Sequence, residues 1–134
     1  MTDLLQFLRD RYTEVAQRAE AAGDSGYTYT EDDPLDIVSD ADARHIAQHS
    51  PFDVLSDVAA KLDILRLHSL VHRDVGWLDN GDEETSEILV CGTCVPKHSH
   101  YGRREDVPEG PCSTVRLLGR PHSAHPDYRD EWRP

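Results

Sequence analysis

Cys91-Gly92-Thr93-Cys94 and Cys112 are the only cysteines of the chain, and eight histidines accompany them. Thiolates at i and i+3 can share one ion when the backbone turns tightly between them, and Gly92 permits that turn. A third thiol eighteen residues on, at Cys112, leaves one ligand to find for a tetrahedral Zn2+ site. His68 is the favoured fourth ligand, because it continues the apolar stripe of a helix and would need either a hydrogen bond or a metal there. His98 and His100 are nearest in sequence, His72 lies one helical turn from His68, and His122 and His125 are further candidates. Two other readings stand beside zinc: ordinary thiols, or a redox pair. The redox pair wants a βαβ setting, which the chain does not offer.

Other constellations are weaker. His45 and His49 share a helix face but lack the glutamate of a metalloprotease motif, and Asp32-Asp33 reads as a solvated turn. No glycine-rich phosphate loop and no serine elbow is present.

The elements that must position these groups are mainly helical. Residues 3–22 place Leu4, Leu5, Phe7, Leu8, Tyr12, Val15, Ala16 and Ala19 on one stripe, with Asp3 in the first turn and Gly23 as a stop. After Gly23-Asp24-Ser25-Gly26, the run Tyr27-Thr28-Tyr29-Thr30 is β-prone, and Leu35, Ile37 and Val38 can pack back on a core. Asp40 or Asp42 can cap a short helix ending near His49. Ser50-Pro51-Phe52-Asp53 then has the form of a helix start, with Ser50 as cap and Pro51 at the first position. That helix is expected to run over 51–72 and to pack on the first. Gly76–Glu87 reads as an acidic loop, Ile88-Leu89-Val90 as a short strand into Cys91, and Val95–Pro111 as a long loop or loose hairpin. A last short helix opens at Cys112 and ends near Gly119, with Val115, Leu117 and Leu118 facing inward. The expected fold is a single domain over 1–134. It is mainly α with a small β-hairpin: two packed helices, a treble-clef-like zinc knuckle over 88–134, and a short C-terminal helix.

Charge narrows the partners. The net charge is −12 and uneven: residues 1–42 carry −8, residues 43–90 carry −5, and the rest +1. An acidic front half disfavours the phosphate backbone of nucleic acid; it suits a protein partner with a basic surface, or serves solubility alone, the plainer reading. Lys97, Arg103, Arg104, Arg116 and Arg120 are the residues a nucleic-acid reading would use. No apolar stretch is long enough to span a membrane, and the N-terminus lacks a signal-peptide pattern, so a soluble, cytoplasmic protein is expected.

Several stretches together resemble a group of small uncharacterised proteins, a domain of unknown function of high-GC Gram-positive bacteria and their phages. They are residues 3–8, His45-Ile46-Ala47-Gln48-His49-Ser50-Pro51, Val58-Ala59-Ala60-Lys61, Leu67-His68, Pro111 through Leu118 and His125 through Trp132. The resemblance implies a coherent fold and a cysteine-containing C-terminal half, and no activity. The stretch between Cys94 and Cys112 is expected to be longer here than in relatives, which shifts weight from His98 and His100 to His68. The expected function is a small acidic, zinc-stabilised protein-interaction module, phage- or mobile-element-associated, binding a host protein. The alternative is a metal-dependent hydrolase or nuclease with an open zinc position and a nearby acid such as Asp127.

Overall fold

The computed structural model describes residues 3–23 and 40–134. The β-prone run at 27–30 and the apolar residues at 35–38 lie outside the described residues. Among these residues, four α-helices and three strands run in the order α1 (Leu4–Gly23), α2 (Asp40–Gln48), α3 (Pro51–Leu67), β1 (Leu70–Asp79), β2 (Asp82–Cys91), β3 (His100–Tyr101) and α4 (Ser113–Gly119). Short 3-10 turns follow at Arg104–Asp106, Arg120–His122 and Asp130–Trp132. The chain divides into two compact units. One is Arg9–Leu62; the other runs over Asp63–Pro134 and takes in the chain up to Leu8.

The helix starts follow local chemistry. Asp3 Oδ1 accepts the Gln6 N–H at 2.8 Å and caps α1. Ser50 Oγ accepts the Asp53 N–H at 3.2 Å and donates to Asp53 Oδ2 at 2.5 Å, a reciprocal cap ahead of Pro51. Among the described residues of Arg9–Leu62, Tyr12, Ala19 and Val58 are the buried apolar side chains, and the Lys61 ammonium lies 5.9 Å from the Tyr12 ring centre.

The expectation of a mainly α fold with a small hairpin is overturned by the sheet. Its strand order is β2-β1-β3, with β1 antiparallel to β2 over ten residue pairs and parallel to β3 over two. The helix expected over 51–72 stops at Leu67, and Leu70 already belongs to β1. The segment expected to be an acidic loop is the tip of the hairpin. Asn80 and Gly81 have φ of 50° and 94°, the paired positive values of a two-residue turn whose twist matches that of its strands. Beyond that turn, Asp82–Glu87 is exposed on both faces, so the strand is carried by pairing and not by burial.

One core of the larger unit is Val75, Ile88, Val90, Val95 and Val107, with Val71, Trp77 and Tyr101 packed against it. β3 reaches β1 at Gly76, whose N–H donates to Ser99 O at 3.1 Å. A Cβ at residue 76 would meet the His100 ring at 2.5 Å, so the close approach of the exposed imidazole there depends on glycine. In α4, Val115 is buried as expected, but Leu117 is half exposed and does not face inward.

A second cluster is aromatic. The Phe7 ring packs against Trp132 at 5.2 Å between ring centres, His125 at 5.5 Å, Tyr128 at 6.0 Å and His122 at 6.1 Å. The two imidazoles and Tyr128 meet Phe7 close to edge-on, bringing positive edges onto negative faces, while Trp132 lies tilted at 43°. The Tyr128 ring also lies against Gly119.

Candidate metal centre

Three elements converge on one point. α3 ends at Leu67, and its last turn continues through His68, whose N–H donates to Ile64 O at 3.0 Å. β2 ends at Cys91. The chain then folds into a knuckle in which the Val95 N–H donates back to Cys91 O at 3.0 Å, and this turn carries Cys94. Cys112 arrives from the other side. The Gly110 N–H donates to Leu89 O at 2.8 Å, which lays the approach to Cys112 along β2, and Cys112 itself is the N-cap of α4.

The four side chains His68, Cys91, Cys94 and Cys112 place their ligand atoms within 4.8 Å of one another and could hold a metal ion. His68 Nδ1 lies 3.4 Å from the Cys112 sulfur, 3.5 Å from that of Cys91 and 3.6 Å from that of Cys94. An ion about 2.3 Å from each sulfur and about 2.0 Å from nitrogen, at a tetrahedron's centre, sets sulfur–nitrogen edges of about 3.5 Å. The observed distances are those edges. All three cysteines are free thiols; Cys91 is buried, Cys112 half-buried and Cys94 exposed.

The thiols perturb one another. Desolvation, followed by the thiols and charge of Cys91 and Cys112, pushes Cys94 up to about 12. Desolvation also pushes Cys112 upward. However, the Val115 N–H, the Cys91 and Cys94 thiols and the Thr114 N–H together outweigh it and hold Cys112 below the ordinary thiol range. Three thiolates this close repel, and a divalent cation among them removes the conflict. A set of three sulfurs and one imidazole is a zinc-type donor set; carboxylate oxygens, which suit magnesium or calcium, take no part.

The remaining histidine candidates lie elsewhere. His72 is on β1, in a strand and not one helical turn from His68. His98 is at the tip of the turn after the knuckle, and His100 lies 3.2 Å from Glu83 Oε1. His122 and His125 pack on Phe7. His45 and His49 stack at 4.4 Å between ring centres in the other unit.

The model for a family of unknown function, DUF6221, matches residues 1–134. The chain belongs to this family. No curated protein matches it, and no solved structure matches it. Membership carries no activity, so the chemistry of the centre rests on the residues themselves.

Two residues that the sequence did not single out support the knuckle. Arg73, on β1, donates from Nη2 to Gly92 O at 2.7 Å and from Nη1 to Val95 O, bracing both ends of the turn that carries Cys94. Thr93 Oγ1 donates to Leu67 O, the last residue of α3, and the Gly92 N–H donates to Ser69 O at 2.9 Å. No spacing signal marks Arg73. Its alternation with Val71 and Val75 is legible only once residues 70–79 are read as a strand.

Of the basic residues considered for nucleic acid, Arg104 pairs with Glu109, and Arg103 lies 3.7 Å from Glu105. Arg116 donates to the carbonyls of Pro111 and Glu131, which ties α4 to the C-terminal turn. Among the described residues, no helix is long and apolar enough to cross a membrane.

Proposed function

We propose that the chain is a small acidic protein-interaction module closed by one structural Zn2+, held by His68, Cys91, Cys94 and Cys112. The observation that carries this reading is that the three sulfurs lie from His68 Nδ1 at the sulfur–nitrogen edge lengths of a zinc tetrahedron, with all four ligand atoms within 4.8 Å of one another. Four protein ligands leave no coordination position for water, which is the signature of a structural site. The hydrolase alternative needs three ligands plus water and an acid beside them. Asp127 is not one of the clustered side chains; it is exposed and sits 3.8 Å from the half-buried His125.

The partner in this proposal is a host protein with a basic surface, in a phage or mobile-element setting, and the site of action is the cytoplasm. The support is the net charge of −12 and its concentration in residues 1–90. Phe52, 79% exposed on α3 beside Asp53, would provide an apolar anchor within an acidic surround.

Protein purified without added metal is expected to carry one equivalent of zinc, and chelation is expected to lower its melting temperature. Less than half an equivalent, with melting unchanged by chelation, would overturn the zinc reading. Salt-sensitive capture of a basic protein, lost when Asp53 and Asp57 become lysine, tests the docking reading separately.

A further inference from the structure

A cavity of about 340 Å3 lies along β1, lined by Val71, His72, Arg73, Asp74, Lys97 and His98. We propose that it binds a small oxyanion, either phosphate or a phosphomonoester.

Three observations converge. The first is the open edge of the sheet. The Gly76 N–H donates to Ser99 O, so even-numbered residues of β1 turn their backbone groups toward the β3 side. β3 pairs only at Gly76 and Trp77. The N–H groups of His72 and Asp74 therefore point to the cavity side, and no described residue accepts them.

The second observation is uncompensated positive charge. In a chain of net charge −12, most described cations are matched: Lys61 with Asp57, Arg66 with Asp63, Arg104 with Glu109 and Arg133 with Asp130. Lys97 has no acidic partner among the described residues. Arg73 spends its donors on carbonyls, which leave its charge in place. Asp74 is the one carboxylate in the lining, against these two cations and two imidazoles that can donate.

The third observation is backbone geometry. His98 has φ of 61°, in the left-handed region that histidine enters more readily than most residues, and this reverses the chain beside the cavity. Ser99 Oγ donates to Pro96 O at 2.7 Å and closes the turn that presents Lys97 and His98. A cation is an unsuitable ligand: two positive side chains line the space, and no second group of metal-ligating side chains occurs among the described residues. The volume suits a small ligand, at the lower end of ligand pockets.

The test is an amide chemical-shift titration of the full chain, as purified, with inorganic phosphate and in parallel with phosphoserine, at ionic strength held constant by NaCl. Saturable shifts are expected at His72, Asp74, Lys97 and His98. Lys97→Ala should weaken binding by roughly tenfold or more, as loss of a charge-assisted contact does. His98→Gly should relieve the left-handed backbone, keep or raise the melting temperature, and still weaken binding; Lys61→Ala should change nothing. Tighter binding of phosphoserine identifies an organic monoester, and tighter binding of phosphate the free ion. Shifts that do not saturate beyond those of NaCl, or full affinity retained in both Lys97→Ala and His98→Gly, would overturn the proposal.

Discussion

The C-terminal part of the chain is fastened at two places by two kinds of force. At Cys112, three thiols and an imidazole meet, and the thiols can all ionise together only with a cation among them. At Tyr128 and Trp132, the Phe7 ring meets one ring edge-on and the other tilted, and closes a contact that needs no ion. Between and around them the chain has little regular structure beyond the seven residues of α4. The metal end is conditional and the aromatic end is not. A fold fastened in this way can lose one end and keep the other.

Removing the metal should have the largest effect. Structural zinc sites contribute folding free energy outright, so chelation or Cys112→Ser should cost several kcal/mol and lower the melting temperature by roughly 10–20 °C or more. Calorimetry with parallel metal analysis checks this. Next is Phe7→Ala, which strips the aromatic end and should cost about 3–5 kcal/mol while leaving the metal stoichiometry unchanged. If metal is lost together with the ring, the two ends are one cooperative structure and the comparison fails.

How much of this was legible in the sequence follows from the same contrast. Thiols and imidazoles declare their chemistry by type, so Cys91, Cys94, Cys112 and His68 can be read as a set, although the helix that presents His68 ends there and not at His72. The Ser50-Pro51-Asp53 start was legible because a cap is a local interaction. The hairpin was obscured because Asp82–Glu87 is polar on both faces and shows no alternation of apolar residues. Asn80-Gly81 was the signal that should have outweighed that acidity. His72 was misplaced because its four-residue spacing from His68 imitates a helix turn, whereas the chain becomes strand at Leu70. Phe7 was legible as buried, but its partners lie more than a hundred residues away in sequence, and nothing local announces them.

Acidity and alkalinity separate ionic from apolar fastening. The buried Tyr12 phenol is pushed up to about 12, by desolvation first and then by Asp57. Its neutral form is therefore favoured in the folded state. That contribution is fully present below the ordinary phenol value of about 10 and is lost as pH rises toward 12, about 2–3 kcal/mol in all. Metal-bound thiolates have the opposite sign: protons compete with the ion, so their contribution is lost as pH falls. Denaturant melts between pH 7 and 12 should show the alkaline loss in the native chain and not in Tyr12→Phe, with or without metal.

The smallest effect is expected at the brace. Arg73→Leu leaves the Gly92 and Val95 carbonyls without their donor and should cost about 1–2 kcal/mol. It should also weaken metal affinity by roughly ten- to a hundredfold, as loss of outer support does at other metal sites. Competition with a chromophoric chelator reads that affinity. An unchanged value would confine Arg73 to the sheet and not to the centre.

X-ray absorption at the zinc edge of the purified protein tests the central claim most directly. Three sulfurs at about 2.3 Å and one nitrogen at about 2.0 Å, with no further oxygen, is the predicted shell. A shell with a water oxygen or fewer than three sulfurs would contradict the closed His68–Cys91–Cys94–Cys112 centre.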